Sequence, residues 1–330
     1  MVNCIFIEVK QLSFSADVKK EILAVHFDNN QEKVSRLYGI VRFGANLLIS
    51  SDKKINFNIT TDSAAFAREI FSLCRQTYGF KLDMAVSSHV SRRKKIYRLH
   101  PDELEGTNIL TDLGILNINT AGGFAISDSI PEYILEDIDC RKAFISGAFL
   151  SSGSVTNPNK SYHMEFSIHN YNLARQFSKS LHIFDVKSSV IEKNDDYICY
   201  IKESESISNV LNIVGAHAGL FKFEDVRIKK QMRNDVNRIV NCETSNLDRL
   251  VKASVRQKQA IEYIKNTKGL DVLKGDLYEL AKLRYENPEM SLTDLAKGLS
   301  KPITKSGVNY RLLKIEKIAD KIKEEEDAIK

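Results

Sequence analysis

The sequence predicts an α+β body built from one unit used twice, followed by an all-α domain of three helices. Two observations predict the duplication. The stretches Leu37-Tyr-Gly-Ile-Val-Arg-Phe-Gly-Ala-Asn-Leu-Leu-Ile49 and Phe144-Ile-Ser-Gly-Ala-Phe-Leu-Ser-Ser-Gly-Ser-Val155 share a layout: an apolar helical run with a central glycine, a few small or polar residues, then a strand. The two glycines, Gly39 and Gly147, lie 108 residues apart, and the order helix, strand, strand, helix, strand, strand follows that register in both copies. Glycine costs roughly 1 kcal/mol in a helix interior, so its presence in both copies implies a close partner, and the expected partner of each helix is the other. A repeat of this length builds one body with a pseudo-two-fold axis, unlike a short-period solenoid. The third observation is a set of three amphipathic runs after residue 275, punctuated by Pro288 and Pro302. The expected divisions are 1–221 for the body, with repeats of about 1–110 and 111–221, then 222–268 as a polar helical connection and 269–330 as the terminal domain.

In the first copy, residues 17–43 read as helix. Val18, Ile22 and Val25, then Val34, Leu37, Ile40 and Val41, keep helical spacing on either side of a break at Asp28-Asn29-Asn30. Ile55, Phe57 and Ile59 alternate with Asn56, Asn58 and Thr60, the pattern of a half-buried strand. Asp62 is placed to cap a helix over 63–78, whose inner face carries Phe66, Ile70, Leu73 and Cys74 and which Gly79 stops. Strands over 82–90 and 96–99 flank a basic tip, and its Arg92, Arg93, Lys94 and Lys95 are candidate phosphate contacts.

The second copy reads as a strand over 162–168, a helix over 172–184, strands over 186–191 and 197–202, and a helix over 207–214 closed by Gly215. His163, Glu165, Ser167 and His169 share one strand face, but same-face neighbours stand about 7 Å apart, wide for one ion. No metal is expected there, and the face reads as a polar surface open to a ligand.

At 330 residues and 43% apolar content the chain can bury real cores. The start lacks a basic segment followed by a long apolar one, and no apolar run approaches the ~18 residues of a membrane span, so a cytoplasmic protein is expected. Its five cysteines are far apart with no C-x-x-C pair, which fits reduced, buried thiols. Charge is uneven: residues 222–314 hold 20 Lys/Arg against 12 Asp/Glu, whereas the chain as a whole is only +5. A basic rear half points towards a polyanion.

Residues 225–264 read as a long polar helix with Asn234, Asn237 and Asn241 in one stripe. Arg227, Lys230, Arg233 and Arg238 beside that stripe are further candidate phosphate contacts, although the stripe could equally dock another domain. Beyond a break near 267–270, helices are expected over 276–286, 292–299 and from 305 onward. Ser291 with Asp294 forms a capping box worth ~1 kcal/mol, and Thr304 can cap the last helix. Leu295, Ala296 and Leu299, with Val308, Leu312 and Ile315, supply apolar faces that let the last two helices cross. This is helix-turn-helix spacing, and the third helix should enter a DNA major groove by its N-terminal residues. Lys301, Thr304, Lys305, Ser306, Asn309, Tyr310, Arg311 and Lys314 are the candidate DNA-binding residues. Asn can pair with adenine, and Lys or Arg with guanine or phosphate. A bundle used for protein contact is the alternative. No P-loop, G-x-G-x-x-G after a strand, H-E-x-x-H or G-x-S-x-G is present, and no cofactor is expected.

The repeated helices resemble the LAGLIDADG motif of homing endonucleases, and the chain resembles the WhiA family of bacterial transcription regulators. The latter resemblance is densest in Lys202-Glu-Ser-Glu-Ser-Ile207, Gly215-Ala-His217, Phe223-Glu-Asp-Val-Arg227, Met232-Arg-Asn-Asp-Val-Asn-Arg238, Val240-Asn-Cys-Glu-Thr244 and Lys305-Ser-Gly-Val-Asn309, and thinner before about residue 110. It implies a duplicated LAGLIDADG-like pseudo-dimeric domain followed by a helix-turn-helix domain, acting on genes for sporulation or cell division. In the endonucleases an acidic residue near each motif helix end holds a catalytic cation, because a hard divalent ion takes oxygen ligands. On this chain those positions fall on Gly44 and Ser152, neither a carboxylate. The expectation is a non-catalytic regulator that binds double-stranded DNA at the nucleoid, a monomer with internal pseudo-symmetry that can also meet other regulatory proteins. The alternatives are a scaffold or RNA-binding protein using the same body, and a residual metal-dependent endonuclease.

Overall fold

The computed structural model describes residues 13–49, 55–89, 94–118 and 123–327, which fall into two units divided after Lys230. In the first unit, α1 (Phe14–Ile22) precedes the first copy: α2 (Asn30–Gly44), β1 (Ala45–Ile49), β2 (Ile55–Thr61), α3 (Ala64–Tyr78), β3 (Asp83–His89), β4 (Lys94–His100) and α4 (Glu103–Asp112). A hairpin of β5 (Leu116–Ile118) and β6 (Phe124–Ile126) and the short α5 (Glu132–Glu136) lead to the second copy: α6 (Ile138–Ser152), β7 (Gly153–Val155), β8 (Met164–Ile168), α7 (Tyr171–His182), β9 (Ser189–Lys193), β10 (Asp196–Ile201) and α8 (Ser204–Ile213). The two sheets run β1-β2-β4-β3 and β7-β8-β10-β9, antiparallel throughout. The α+β duplication predicted from sequence is the fold observed, and it keeps the predicted register: α2 and α6 each have 15 residues and begin and end 108 positions apart.

The seam between the copies shows why glycine stands at the centre of each helix. A Cβ on Gly39 would collide with the Phe144 carbonyl oxygen and sit 2.9 Å from the Ala148 nitrogen. A Cβ on Gly147 would collide with the Arg36 carbonyl oxygen and sit 3.1 Å from the Ile40 nitrogen. Residues 36 and 40 correspond to 144 and 148 in the 108-residue register, so the contact is reciprocal, as a two-fold requires. Backbone meets backbone here, and no rotamer change can make room.

One face of each sheet closes the common core. Ile55, Phe57 and Ile59 of β2 and Met164, Phe166 and Ile168 of β8 are buried, while residues between them are wholly or partly open. Phe144, Phe177 and Phe43 pack as edge and tilted rings at the centre.

Two local expectations are corrected. The cap of α3 is Ser63, whose hydroxyl accepts from the Phe66 nitrogen at 3.2 Å, and not Asp62; a hydroxyl there reaches the third helical N–H, as an N-cap must. The span between the copies, which the sequence reading left unassigned, folds as α4, the β5–β6 hairpin and α5, burying Ile109, Leu110, Ile115, Leu116 and Ile134. The long polar helix starts earlier than 225 and ends later than 264: α9 covers His217–Thr267.

In the second unit α9 ends, a 3-10 turn (Leu270–Val272) follows, and then come α10 (Asp276–Glu286), α11 (Leu292–Gly298) and α12 (Lys305–Asp327). Its core joins Leu280, Leu295, Leu299, Val308, Leu312 and Ile315 to Ile261 and Ile264 of α9.

Candidate nucleic-acid interface

The N-terminal face of α12 is fixed from three sides. Val308, Leu312 and Ile315, at helical spacing, are buried against α10 and α11. The Thr304 hydroxyl accepts from the Gly307 nitrogen at 3.1 Å, which starts the helix at Lys305. The connection after α11 is tied to α10: the Ser300 nitrogen and hydroxyl both donate to Glu279 Oε1 at 2.6 Å. The Ser300 hydroxyl and then its N–H hold the Glu279 carboxyl below the ordinary carboxylate range. Ser291 caps α11 by accepting from the Asp294 nitrogen at 3.2 Å, and its hydroxyl donates to Asp294 Oδ2. Behind them the buried Arg284 donates to Gln257 Oε1 at 3.0 Å and to the Met290 carbonyl at 2.6 Å, locking α10 to α9 and to the turn before α11.

This packing leaves Lys301, Thr304, Lys305, Ser306, Asn309, Tyr310 and Lys314 exposed, with Tyr310 at 69%. Arg311 is placed differently: its Nη2 donates to Asp276 Oδ2 of α10 at 2.7 Å, and its side chain is 25% exposed. Leu313 belongs to the same surface at 43% exposure. Its position one turn beyond Asn309 and Tyr310 is the signal by which the sequence reading, which did not name it, could have found it.

The basic positions of the first unit have separate surroundings. Lys95 is exposed on β4, and Lys94 pairs through its backbone with His89; Arg92 and Arg93 lie outside the described residues. Arg227 pairs with Glu224 at 2.9 Å. Lys230 donates to the Pro158 carbonyl at 2.6 Å and stands 4.8 Å from the Tyr162 ring, so its charge is turned onto the body. In the second unit, Arg233 and Arg238 are exposed on α9.

At the ends of the seam helices Gly44 and Ser152 are the last helical residues. A Cβ on Gly44 would lie 2.8 Å from the Ser151 Cβ. The Ser151 hydroxyl donates to the Ile40 carbonyl at 3.0 Å and Ser152 to the Ala148 carbonyl at 3.4 Å. A divalent cation does not fit this donor set, because neither position carries an anionic oxygen and both hydroxyls are turned onto helix carbonyls. Sequence reasoning missed Lys19 of α1, which donates to the Leu150 carbonyl at 3.0 Å in the last turn of α6. Burial lowers its pKa to about 8 against the opposing pull of Asp62. On β8 the polar face divides into two sets, His163 with Glu165 at 3.2 Å and His169 with Asp196 at 2.5 Å. Among the described residues no three His, Cys, Asp or Glu side chains gather as metal ligands.

The architecture defines a class: a duplicated LAGLIDADG-like body carrying a helix-turn-helix domain. Family models place the chain within that class. The WhiA N-terminal LAGLIDADG-like domain matches residues 30–116, the WhiA LAGLIDADG-like domain 141–233 and the WhiA C-terminal HTH domain 236–319. A probable cell division protein WhiA of Clostridium botulinum (strain Hall) is 42% identical over 315 residues, covering 95% of this chain and 99% of that one. The protein of the same description from Thermoanaerobacter sp. (strain X514) is 40% identical over the same shares. The crystal structure of full-length DUF199/WhiA from Thermatoga maritima is 26% identical, covers 94% of this chain and 99% of its own, and superposes with a TM-score of 0.55. The chain belongs to the WhiA family.

Proposed function

We propose that this chain is a sequence-specific double-stranded DNA-binding transcription regulator without nuclease activity. The observation that carries this is the exposed N-terminal face of α12, where Lys305, Ser306, Asn309 and Tyr310 stand out from a helix seated by Thr304 and the Val308–Leu312–Ile315 stripe. That face offers amide and ammonium donors at a width a major groove admits. In this reading Lys301 and Lys314 hold phosphate beside it, and the exposed Lys95, Arg233 and Arg238 add sequence-independent contacts. Arg311 serves this reading only after leaving Asp276. The name shared by the relatives, probable cell division protein, supports cell division genes as targets; sporulation genes and a place at the nucleoid are further parts of the proposal. Gly44 and Ser152 support binding without cutting.

Asn309→Ala is expected to relax base preference at one position of the site, at a cost of ~1–3 kcal/mol. Selection of binding sites from a random duplex pool with parent and variant measures this directly. An unchanged preference removes Asn309 from base readout.

A further inference from the structure

Within the second unit, one face of α9 carries Met232, Val236, Ile239, Leu247, Leu250 and Val251, each more than half exposed. At helical spacing the six fall in one sector of about 120°. The same sector carries Gln257 and Ile261 in the last turns of α9, with Ile264 just beyond its edge, and there all three are buried. The stripe therefore continues the core-facing side of the helix past the point where α10, α11 and α12 cover it. An exposed apolar stripe of this length, interrupted at Glu243, marks an interaction surface.

Its spacing and flanking charges indicate what it fits. Along one edge stand Asp235, Cys242 and Arg249, the acid and the base each seven residues from the exposed cysteine. When two helices pair antiparallel, each edge meets the same edge of the other. About a two-fold at Cys242, Asp235 would face Arg249 of the second copy on both sides of the axis, and the stretch around Met232 would meet that around Val251. Parallel pairing would set this edge against the opposite edge of the second copy, so that Asp235 and Arg249 would not meet.

We propose that two copies of this chain associate by antiparallel pairing of α9 about Cys242. Residues 232–251 span about 30 Å of helix, which sets the buried area near the low end for a specific interface, on the order of 1,000 Å². Glu243 stands inside the stripe, next to the axis. A carboxylate there fixes register at a cost in affinity, so the association is concentration-dependent.

The test uses the full chain, without DNA, with Cys4→Ser so that Cys242 is the one thiol outside the buried Cys74, Cys140 and Cys199. Sedimentation should show a monomer–dimer equilibrium, and a short bis-maleimide should trap a dimer that Cys242→Ser abolishes. Leu247→Glu, at an exposed position and with helical content checked by circular dichroism, should weaken association about tenfold or more, and Glu243→Leu should tighten it. Asp235→Arg and Arg249→Asp should each weaken the dimer and restore it together, which parallel pairing would not do. A monomer at all concentrations overturns the proposal. Oxidation of Met232 then tells whether the stripe is shielded by the chain itself or left free for a different protein. A dimer indifferent to Leu247→Glu or to the double charge swap overturns it equally.

Discussion

The seam of α2 and α6 and the leading face of α12 are both helix surfaces built on small and polar residues, and they put those residues to opposite uses. At the C-terminal end of the seam the polar groups turn inward: Ser151 and Ser152 bond to helix carbonyls and Lys19 bonds to Leu150, while at its centre Gly39 and Gly147 let backbone touch backbone. At α12, Thr304 is spent on the cap while Lys305, Ser306 and Asn309 are left to solvent. A helix can keep a family's motif and yet offer a ligand nothing, since what counts is which donors remain unspent after packing.

The largest effect that could break this contrast lies at the seam. Gly39→Ala should gain about 1 kcal/mol in helix propensity and lose more to overpacking, because the added Cβ meets the fixed backbone of α6. A net loss of roughly 2–3 kcal/mol should lower the urea midpoint of the body, and a parental midpoint would show that the helices are not in close contact. Next comes Lys19. Its folded pKa of about 8 lies below the ordinary lysine value of 10.5, so between those values the unfolded chain binds more protons and the contribution of Lys19 to stability rises with pH. Lys19→Met should flatten that rise by on the order of 2 kcal/mol when denaturant titrations of variant and parent are compared at pH 8 and pH 10. The smallest effect sharpens the contrast at α12. Asp276→Asn should release Arg311 and steepen the salt dependence of DNA binding by about one phosphate contact. An unaltered slope would make Arg311 a structural residue.

Much of this was legible in the sequence because it rests on periodicity. The 108-residue register, the half-buried strands and the three terminal helices all follow from spacing that burial imposes. What escaped depended on partners distant in sequence. Arg311 reads as an outward cation until α10 brings Asp276 beside it, and Ile261 and Ile264 read as the end of a linker until the terminal core takes them in. The span of α4, β5, β6 and α5 was missed because its elements are short and their apolar residues irregularly spaced. Gly44 and Ser152 were readable as lacking carboxylates, but the crowding of Gly44 against Ser151 is visible only when the two helix ends meet.

The central claim is that this chain reads DNA sequence through α12 and leaves the duplex intact. A genome-wide footprint of the full chain in cells, set beside that of a Lys305→Ala, Asn309→Ala double variant of equal abundance, tests it most directly. The account predicts discrete protected sites sharing one sequence pattern, free of strand breaks and lost in the variant. An unchanged footprint in the variant, or breaks at the protected sites, would contradict it.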